Sequence, residues 1–281
     1  MNPTPAPLRF HRLLLTGAAG GIGRQLRPRL RAHCTHLRLS DIGPLGEAAP
    51  GEELMPAALE DAAAMHKLLE GVDAVVHLGG ISVEAAWAPI LQANIVGLFN
   101  LYEAARRQGV KRVVFASSNH VTGFYRQDQT IDASAPPRPD GLYGLSKAFG
   151  EDLSRLYWDR HGIQTVCLRI GSVTPAPENR RMLATWLSIA DLERLVLASL
   201  TTPVAGHSIV FGMSDNRHVW WDNRQAAHIG YRPQDSSEAW RAQVEASEPT
   251  WLDASDPKVI YQGGRFVQLG PYDDDPPPPW A

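Results

Sequence analysis

Near its N-terminus the chain reads Leu13-Leu-Leu-Thr-Gly-Ala-Ala-Gly-Gly-Ile-Gly23. The apolar run from Arg12 to Leu15 predicts a buried strand, and the amphipathic stretch that continues to about Ala32 predicts a helix. Three glycines mark the turn between them: Gly17, Gly20 and Gly23. A backbone without side chains can turn tightly there and approach a pyrophosphate, which would sit on the amides at the helix N-terminus. A tight turn without a ligand is the alternative.

The next predicted strand, His36-Leu-Arg-Leu-Ser-Asp41, ends in an acidic residue eighteen positions after Gly23. A carboxylate at this place can accept hydrogen bonds from both hydroxyl groups of an adenosine ribose. It would repel a 2′-phosphate. Together the strand, the glycine loop, the helix and Asp41 predict a dinucleotide site that favours NAD over NADP.

The remainder of the chain alternates between apolar runs and helical stretches. The runs predict strands at Ala74–Leu78, Arg112–Ser117, Thr165–Ile170 and Ser208–Phe211. The helical stretches lie at about Asp61–Glu70, Trp87–Gln108, Tyr143–His161 and Asp191–Leu200. This alternation predicts an α/β fold, a Rossmann-like doubly wound parallel sheet with helices on both faces.

The organisation along the chain predicts four parts. An N-terminal extension occupies 1–11, and a dinucleotide-binding domain occupies 12–170. Substrate-pocket segments follow at 171–270, where Gly171–Trp186 is polar and marked by prolines; we expect them to form a small cap over the carboxyl ends of the strands. The tail at 271–281 is rich in Asp and Pro, which predicts disorder.

The composition is that of an ordinary globular protein and excludes several classes. The 281 residues are 44% hydrophobic and 20% charged, with a net charge of −3 and no basic block, so no nucleic-acid partner is expected. Neither a membrane span nor a signal peptide is apparent. Two cysteines, Cys34 and Cys167, do not indicate a disulfide or a metal site. We expect a cytoplasmic protein.

A tyrosine and a lysine four residues apart, Tyr143 and Lys147, share one face of a predicted helix. A free phenol has a pKa near ~10, and an adjacent ammonium would lower that pKa and make Tyr143 a usable base for an alcohol proton. Ser118 ends a predicted strand 25 residues earlier, where its hydroxyl can bind a substrate oxygen. Taken alone, these residues could be two solvated helix positions and a strand-end serine, but the glycine loop favours a catalytic group.

Several longer segments resemble a known family more specifically than these short motifs do. They are His77-Leu-Gly-Gly-Ile-Ser-Val-Glu84, Phe115-Ala-Ser-Ser-Asn-His120, Arg138-Pro-Asp-Gly-Leu-Tyr-Gly-Leu-Ser-Lys147, Arg169-Ile-Gly-Ser172, Arg181-Met-Leu-Ala-Thr-Trp186 and Trp220-Trp-Asp-Asn223. From about Arg12 to about Phe266 the chain resembles the bacterial uronate dehydrogenases, which are extended short-chain dehydrogenases/reductases of the NAD-dependent epimerase/dehydratase type. That family oxidises C1 of D-glucuronate or D-galacturonate with NAD to an aldarolactone.

The resemblance implies a role for each matching residue. Tyr143 would be the base, Lys147 its electrostatic partner, and Ser118 the hydroxyl that orients the anomeric oxygen. The sugar pocket would be lined by Ser82, Asn119, His120, Ser172 and Arg181, with Arg181 pairing with the uronate carboxylate. Further cofactor contacts would come from Ile22, Leu59, Leu78 and Ile170.

Several alternatives stay open. Arg181 could be a surface arginine beside Arg180, His120 a satisfied loop histidine, and Asn94 either a structural residue or part of a proton relay. Where the family usually has an acidic residue before Leu59, this chain has Ala58, so a contact to adenine is in doubt.

The function also has rivals. These are an epimerase or dehydratase of a nucleotide-linked sugar, a cofactor-sensing module without chemistry, and an oxidoreductase of neutral sugars. We expect a homo-oligomer, a dimer or larger.

Overall fold

Seven parallel strands form the central sheet of the computed structural model, which describes residues 10–248 and 254–270. The strands of the described residues are β1 (Phe10–Thr16), β2 (Cys34–Ser40), β3 (Glu52–Leu54), β4 (Ala74–His77), β5 (Arg112–Ser118), β6 (Ile131–Asp132), β7 (Gln164–Ile170), β8 (His207–Gly212) and β9 (Trp221–Asp222). The sheet has the order β3-β2-β1-β4-β5-β7-β8, and β6 pairs with β9 separately. The order reverses between β1 and β4, which is where open α/β sheets bind ligands.

Helices alternate with these strands. In the described residues they are α1 (Gly21–Leu30), α2 (Ala62–Leu68), α3 (Trp87–Ile90), α4 (Gly97–Gln108), α5 (Leu142–His161), α6 (Met182–Thr185), α7 (Ile189–Thr201), α8 (Arg241–Ser247) and α9 (Pro257–Ile260). The predicted α/β fold with a doubly wound parallel sheet is confirmed.

Successive side chains along a strand point to opposite faces of the sheet, and both faces are buried. Leu13 and Leu15 of β1 pack in one core with side chains of α1 and α7. Leu14 packs in the second core with side chains of α2, α4 and α5. The helices therefore cover both faces, and the carboxyl edge of the sheet is the part left open for a ligand.

A buried ion pair fixes the strands below that edge. Arg169 of β7 donates from Nε and Nη2 to the two carboxylate oxygens of Glu151 in α5, at 3.0 and 2.8 Å. The hydroxyl of Ser117, at the end of β5, donates to the same carboxylate at 2.6 Å. All three side chains are buried. The pair joins β7 to α5, which carries Tyr143 and Lys147, and to β5, which ends at Ser118.

The short strand β3 is missing from the sequence prediction. It has only three residues, and two of them are Glu52 and Glu53, which do not resemble a buried strand. Their carboxylates pair with Arg27 and with Arg12, respectively, at the edge of the sheet. The chain thus forms an edge strand whose charges are paired, and a search for apolar runs does not find it.

The predicted helix at Trp87–Gln108 is interrupted by a π-helical turn at Leu91–Val96, which connects α3 to α4. Asn94 lies in this turn. Its side chain accepts from the amide of Ile81 at 2.8 Å and donates to the Ile81 carbonyl at 3.0 Å and to the hydroxyl of Ser146 at 2.9 Å. The contacts fasten the loop after β4 to α5, which is a structural task.

Three of the predicted parts include residues outside the described ranges, and for the pocket segments at 171–270 these are residues 249–253. The N-terminal extension at 1–11 overlaps β1 at its last two positions, and the rest of it lies outside the described residues, as does the predicted tail at 271–281. Within the described ranges, no helix has the length and apolar character needed to cross a membrane.

Candidate active site

The glycine loop after β1 forms a cradle that side chains would fill. Gly17 has a φ of 69°, and a Cβ there would lie 2.6 Å from the carbonyl carbon of Leu78. A Cβ on Gly23 would lie 2.1 Å from the Gly17 oxygen. At the start of α1, the N-cap residue Gly20 has no side chain that could accept from the first amides, and the first turn has no acidic residue. The amides there suit a diphosphate, so the loop fits the predicted dinucleotide.

Asp41 lies beside this cradle, directly after β2. Its carboxylate accepts from the amides of Ala19 and Gly43, each at 2.9 Å. Each carboxylate oxygen has a second lone pair for another donor. The residue therefore both holds the loop in place and is able to accept ribose hydroxyls.

One cleft of about 1200 Å³ runs from the glycine loop along the carboxyl ends of the strands to the segment after α9. Every residue predicted for the site lies on this cleft. These are Gly17, Gly20, Ile22, Gly23, Asp41, Leu59, Leu78, Ser82, Ser118, Asn119, His120, Tyr143, Lys147, Ile170, Ser172 and Arg181. Residues from distant parts of the chain thus share one space.

The phenol of Tyr143 lies against the end of β5. The hydroxyl of Ser118 lies near enough to the phenol to favour its phenolate form, and it accepts from the amide of His120 at 3.2 Å. Both the phenol and the serine side chain are buried. The two hydroxyl groups are therefore placed to hold one oxygen atom of a substrate between them.

Burial dominates the electrostatics of this pair. It raises the pKa of Tyr143 to about 12, although the hydrogen bond from Ser118 acts in the opposite direction. The ammonium of Lys147 donates to the carbonyl of Ala116 at 2.9 Å and lies 5.7 Å from the centroid of the Tyr143 ring. Burial also lowers the pKa of Lys147 to about 8. In the chain by itself, burial therefore outweighs the predicted effect of Lys147, and the pKa of Tyr143 is raised rather than lowered.

Arg181 points into the cleft, held by three acceptors. Its Nε donates to the carbonyl of Gln262 at 2.6 Å, Nη2 to Asn119 Oδ1 at 2.8 Å, and Nη1 more weakly to the hydroxyl of Ser172 at 3.4 Å. A guanidinium has five N–H donors, so two remain for a carboxylate. The geometry favours the predicted anion clamp over a surface arginine.

The neighbouring arginine behaves differently. Nη2 of Arg180 donates to the carbonyls of Glu245 and Glu248, and its amide donates to the Glu248 carboxylate at 2.8 Å. Arg180 therefore ties the segment before α6 to the end of α8 through Nη2 and its backbone amide.

Three further residues contribute to the site, and the sequence analysis assigned no role to them. Glu84 accepts from the amides of Leu142 and Tyr143, both at 2.9 Å, so a carboxylate from the loop after β4 caps the start of α5. Asp140 accepts from Nδ1 of His120 at 2.6 Å, and Phe266 stacks on the same imidazole with ring centroids 3.8 Å apart. Glu84 and Asp140 belong to segments that carried the family resemblance, and this was the available signal.

Comparison with known protein families supports the dinucleotide site inferred from the glycine loop and the cleft. The model of the NAD dependent epimerase/dehydratase family matches residues 13–206. The chain belongs to this family.

Within the family, uronate dehydrogenases are strongly similar to the chain. The "Uronate dehydrogenase" of Pseudomonas putida is 58% identical over 273 residues, which are 97% of this chain and 100% of that protein. The structure of a glucuronic acid dehydrogenase from Chromohalobacter salexigens is 51% identical with a TM-score of 0.92, and the match covers 95% of this chain and 100% of that one.

A third relative was solved with a cofactor. It is a variant of the uronate dehydrogenase from Agrobacterium tumefaciens in which a tyrosine is replaced by alanine, in complex with NAD. It is 48% identical with a TM-score of 0.89, over 92% of this chain and 97% of that one. Together these relatives confirm the resemblance that the motifs predicted.

Proposed function

We propose that this protein is an NAD-dependent uronate dehydrogenase, which oxidises the C1 hydroxyl of cyclic D-glucuronate or D-galacturonate to the aldarolactone. One observation carries the proposal: a single cleft joins the diphosphate cradle to the Ser118–Tyr143 pair and then to Arg181, a cation with free donors. The names of relatives that are 49–58% identical support the same activity.

The chain has the residues needed to hold NAD. The amides at the start of α1 would bind its diphosphate and Asp41 its adenosine ribose, while Ile22, Leu59, Leu78 and Ile170 supply apolar walls. Bound NAD would accept the hydride from C1 and bring a positively charged ring into the cleft.

Tyr143 takes the proton of the C1 hydroxyl. Ser118 and Tyr143 hold that oxygen between their hydroxyl groups, so the proton has a short path to the phenol. Burial moves the pKa of the phenol further above neutral pH, and positive charge in the cleft favours the phenolate and offsets that effect. Lys147 supplies one such charge. General-base help of this kind is worth about 10²–10⁴-fold in rate.

The rest of the pocket orients the sugar. Arg181 would bind the carboxylate with its free N–H groups, and Ser172 lies beside it. The polar side chains of Ser82, Asn119 and His120 line the same space and would meet ring hydroxyls. A closed ring oxidised at C1 is a lactone, so no water needs to enter.

The test is NADH formation by the purified protein with NAD and D-glucuronate, D-galacturonate, glucose or galactose. We expect turnover with the uronates and little with the neutral sugars. Tyr143→Phe should collapse turnover while NAD still binds, and activity within tenfold of wild type would remove Tyr143 from the base role. Tightly retained NAD with no net NADH from any sugar would contradict the proposal and favour the epimerase.

We also propose a homo-oligomer and a cytoplasmic location. Phe99 on α4 and Leu145 and Leu156 on α5 expose large apolar side chains, which supports contact between copies of the chain. Both cysteines are buried and free, which agrees with a reducing compartment. Light scattering and cell fractionation test these two statements.

A further inference from the structure

A carboxylate and an imidazole form a closed pair behind the sugar pocket. Nδ1 of His120 and Oδ2 of Asp140 are 2.6 Å apart, and both side chains are buried. The second oxygen, Oδ1, has no hydrogen-bond partner among the described residues. A buried polar atom without a partner costs free energy, so the chain retains this carboxylate at the expense of stability.

The backbone around Asp140 is built to hold the carboxylate at this place. The amide of Asp140 donates to the carbonyl of His120, and the segment that leads to it is tied by a hydrogen bond from the amide of Arg138 to the carbonyl of Val121. A Cβ at either Gly123 or Gly263 would lie 2.0 Å from Oδ2. Two glycines thus leave the room that the carboxylate occupies.

The other side of the imidazole faces the cleft. His120 lines that space, its ring is stacked on Phe266, and Nε2 makes no hydrogen bond to any described residue. Nε2 is also not among the buried atoms that lack a partner, so it is accessible from the cleft. The imidazole therefore has one nitrogen bound to protein and one available to a ligand.

Burial lowers the pKa of His120, more than the hydrogen bond and the charge of Asp140 raise it, while Arg181 lowers it further and Glu84 raises it. The imidazole is therefore neutral at neutral pH, with a proton on only one nitrogen. Because a carboxylate only accepts hydrogen bonds, the short contact requires that proton on Nδ1.

We propose that Asp140 is a positioning residue that fixes the tautomer of His120 and so makes Nε2 an acceptor for a hydroxyl group of the substrate. The identity of the substrate rests on the function proposed above, whereas the tautomer does not. The His120–Asp140 pair therefore favours a ligand that places a hydroxyl group next to Nε2 of His120. A sugar lacking that hydroxyl, or offering only an acceptor there, leaves Nε2 without a partner.

Kinetics of three variants test the proposal. In Asp140→Asn the amide can present either O or N–H to Nδ1, so the tautomer is no longer fixed. We expect KM for the uronate to rise about tenfold, the value of one neutral hydrogen bond, with kcat within about twofold. His120→Gln should show a similar rise, and the double variant should lose less than about twofold more. Full additivity, or a fall in kcat at unchanged KM, would overturn the proposal.

A spectroscopic readout on the wild-type protein does not require Asp140→Asn or the double variant to fold. Two-bond ¹H–¹⁵N correlation of the histidine rings in the wild-type protein reports which nitrogen carries the proton, with the His120 signals assigned by their loss in His120→Gln. We expect a protonated Nδ1 and an unprotonated Nε2 at neutral pH. An Nε2–H tautomer or a doubly protonated ring would overturn the proposal. Because no substrate is involved, a wrong substrate assignment leaves this result intact.

Discussion

Replacing Arg181 with glutamine removes the cation proposed to bind the uronate carboxylate. Three donors of the guanidinium are used by Gln262, Asn119 and Ser172, and two remain. Each charge-assisted hydrogen bond contributes about 1.5–3 kcal/mol, so the loss of two corresponds to roughly 10²–10⁴-fold in kcat/KM. The cradle for NAD lies at the other end of the cleft, so the Kd for NAD should stay within about twofold.

The chain offers a matched control for this experiment. Arg180 is the preceding residue, but its guanidinium donates through Nη2 to the carbonyls of Glu245 and Glu248 and not to Asn119 or Ser172. Initial rates of NADH formation with D-glucuronate should therefore change less than about threefold in Arg180→Gln. If Arg181→Gln retains kcat/KM within about fivefold of wild type, or if the two variants lose equal activity, Arg181 does not bind the carboxylate.

Three other substitutions test separate parts of the site. Glu84→Gln should lower kcat and destabilise the fold by about 1–2 kcal/mol in denaturant unfolding. The reason is that a single amide oxygen replaces the carboxylate that caps α5 at Tyr143. An unchanged kcat would contradict a positioning role for Glu84. Lys147→Met should abolish turnover yet raise stability at pH 7 by about 2 kcal/mol. The gain arises because burial lowers the lysine pKa from 10.5 to about 8, and the loss of the hydrogen bond to Ala116 offsets part of it. Because the lysine binds its proton more tightly in the unfolded chain, wild-type stability rises between pH 8 and pH 10.5. The stability gained by Lys147→Met should therefore vanish above pH 10.5. A stability gain that does not depend on pH would refute burial of the lysine charge as its cause. Ala58→Asp should lower the Kd for NAD about three- to tenfold in calorimetry by restoring the acidic residue of the family, and an unchanged Kd would show that adenine makes no contact there.

The main elements of the fold are readable in the sequence because buried parallel strands are apolar throughout and the helices between them are long. The strand at Thr165–Ile170 was predicted within one residue of β7. In contrast, β6 and β9 have two residues each, which is too short for any periodicity to appear. Trp221 of β9 stacks on Phe211 of β8, a contact that no local pattern encodes.

The candidate site was predicted only as far as motifs reach. Spacing places Tyr143 and Lys147 on one helix face, but it does not report burial, and burial sets both pKa values. The partners of His120 come from separate segments, with Phe266 near the end of the described chain. Such contacts arise from tertiary packing, and a single sequence carries no signal of them beyond the presence of the residue.

The most direct test of the central claim is the fate of the hydrogen on C1. Wild-type protein would be incubated with NAD and D-glucuronate that carries deuterium at C1, and the reduced cofactor and the sugar product would be analysed by mass spectrometry. We expect the deuterium to be transferred to the cofactor and the product to be a lactone without deuterium. Unlabelled NADH, or deuterium retained in the sugar, would contradict oxidation at C1.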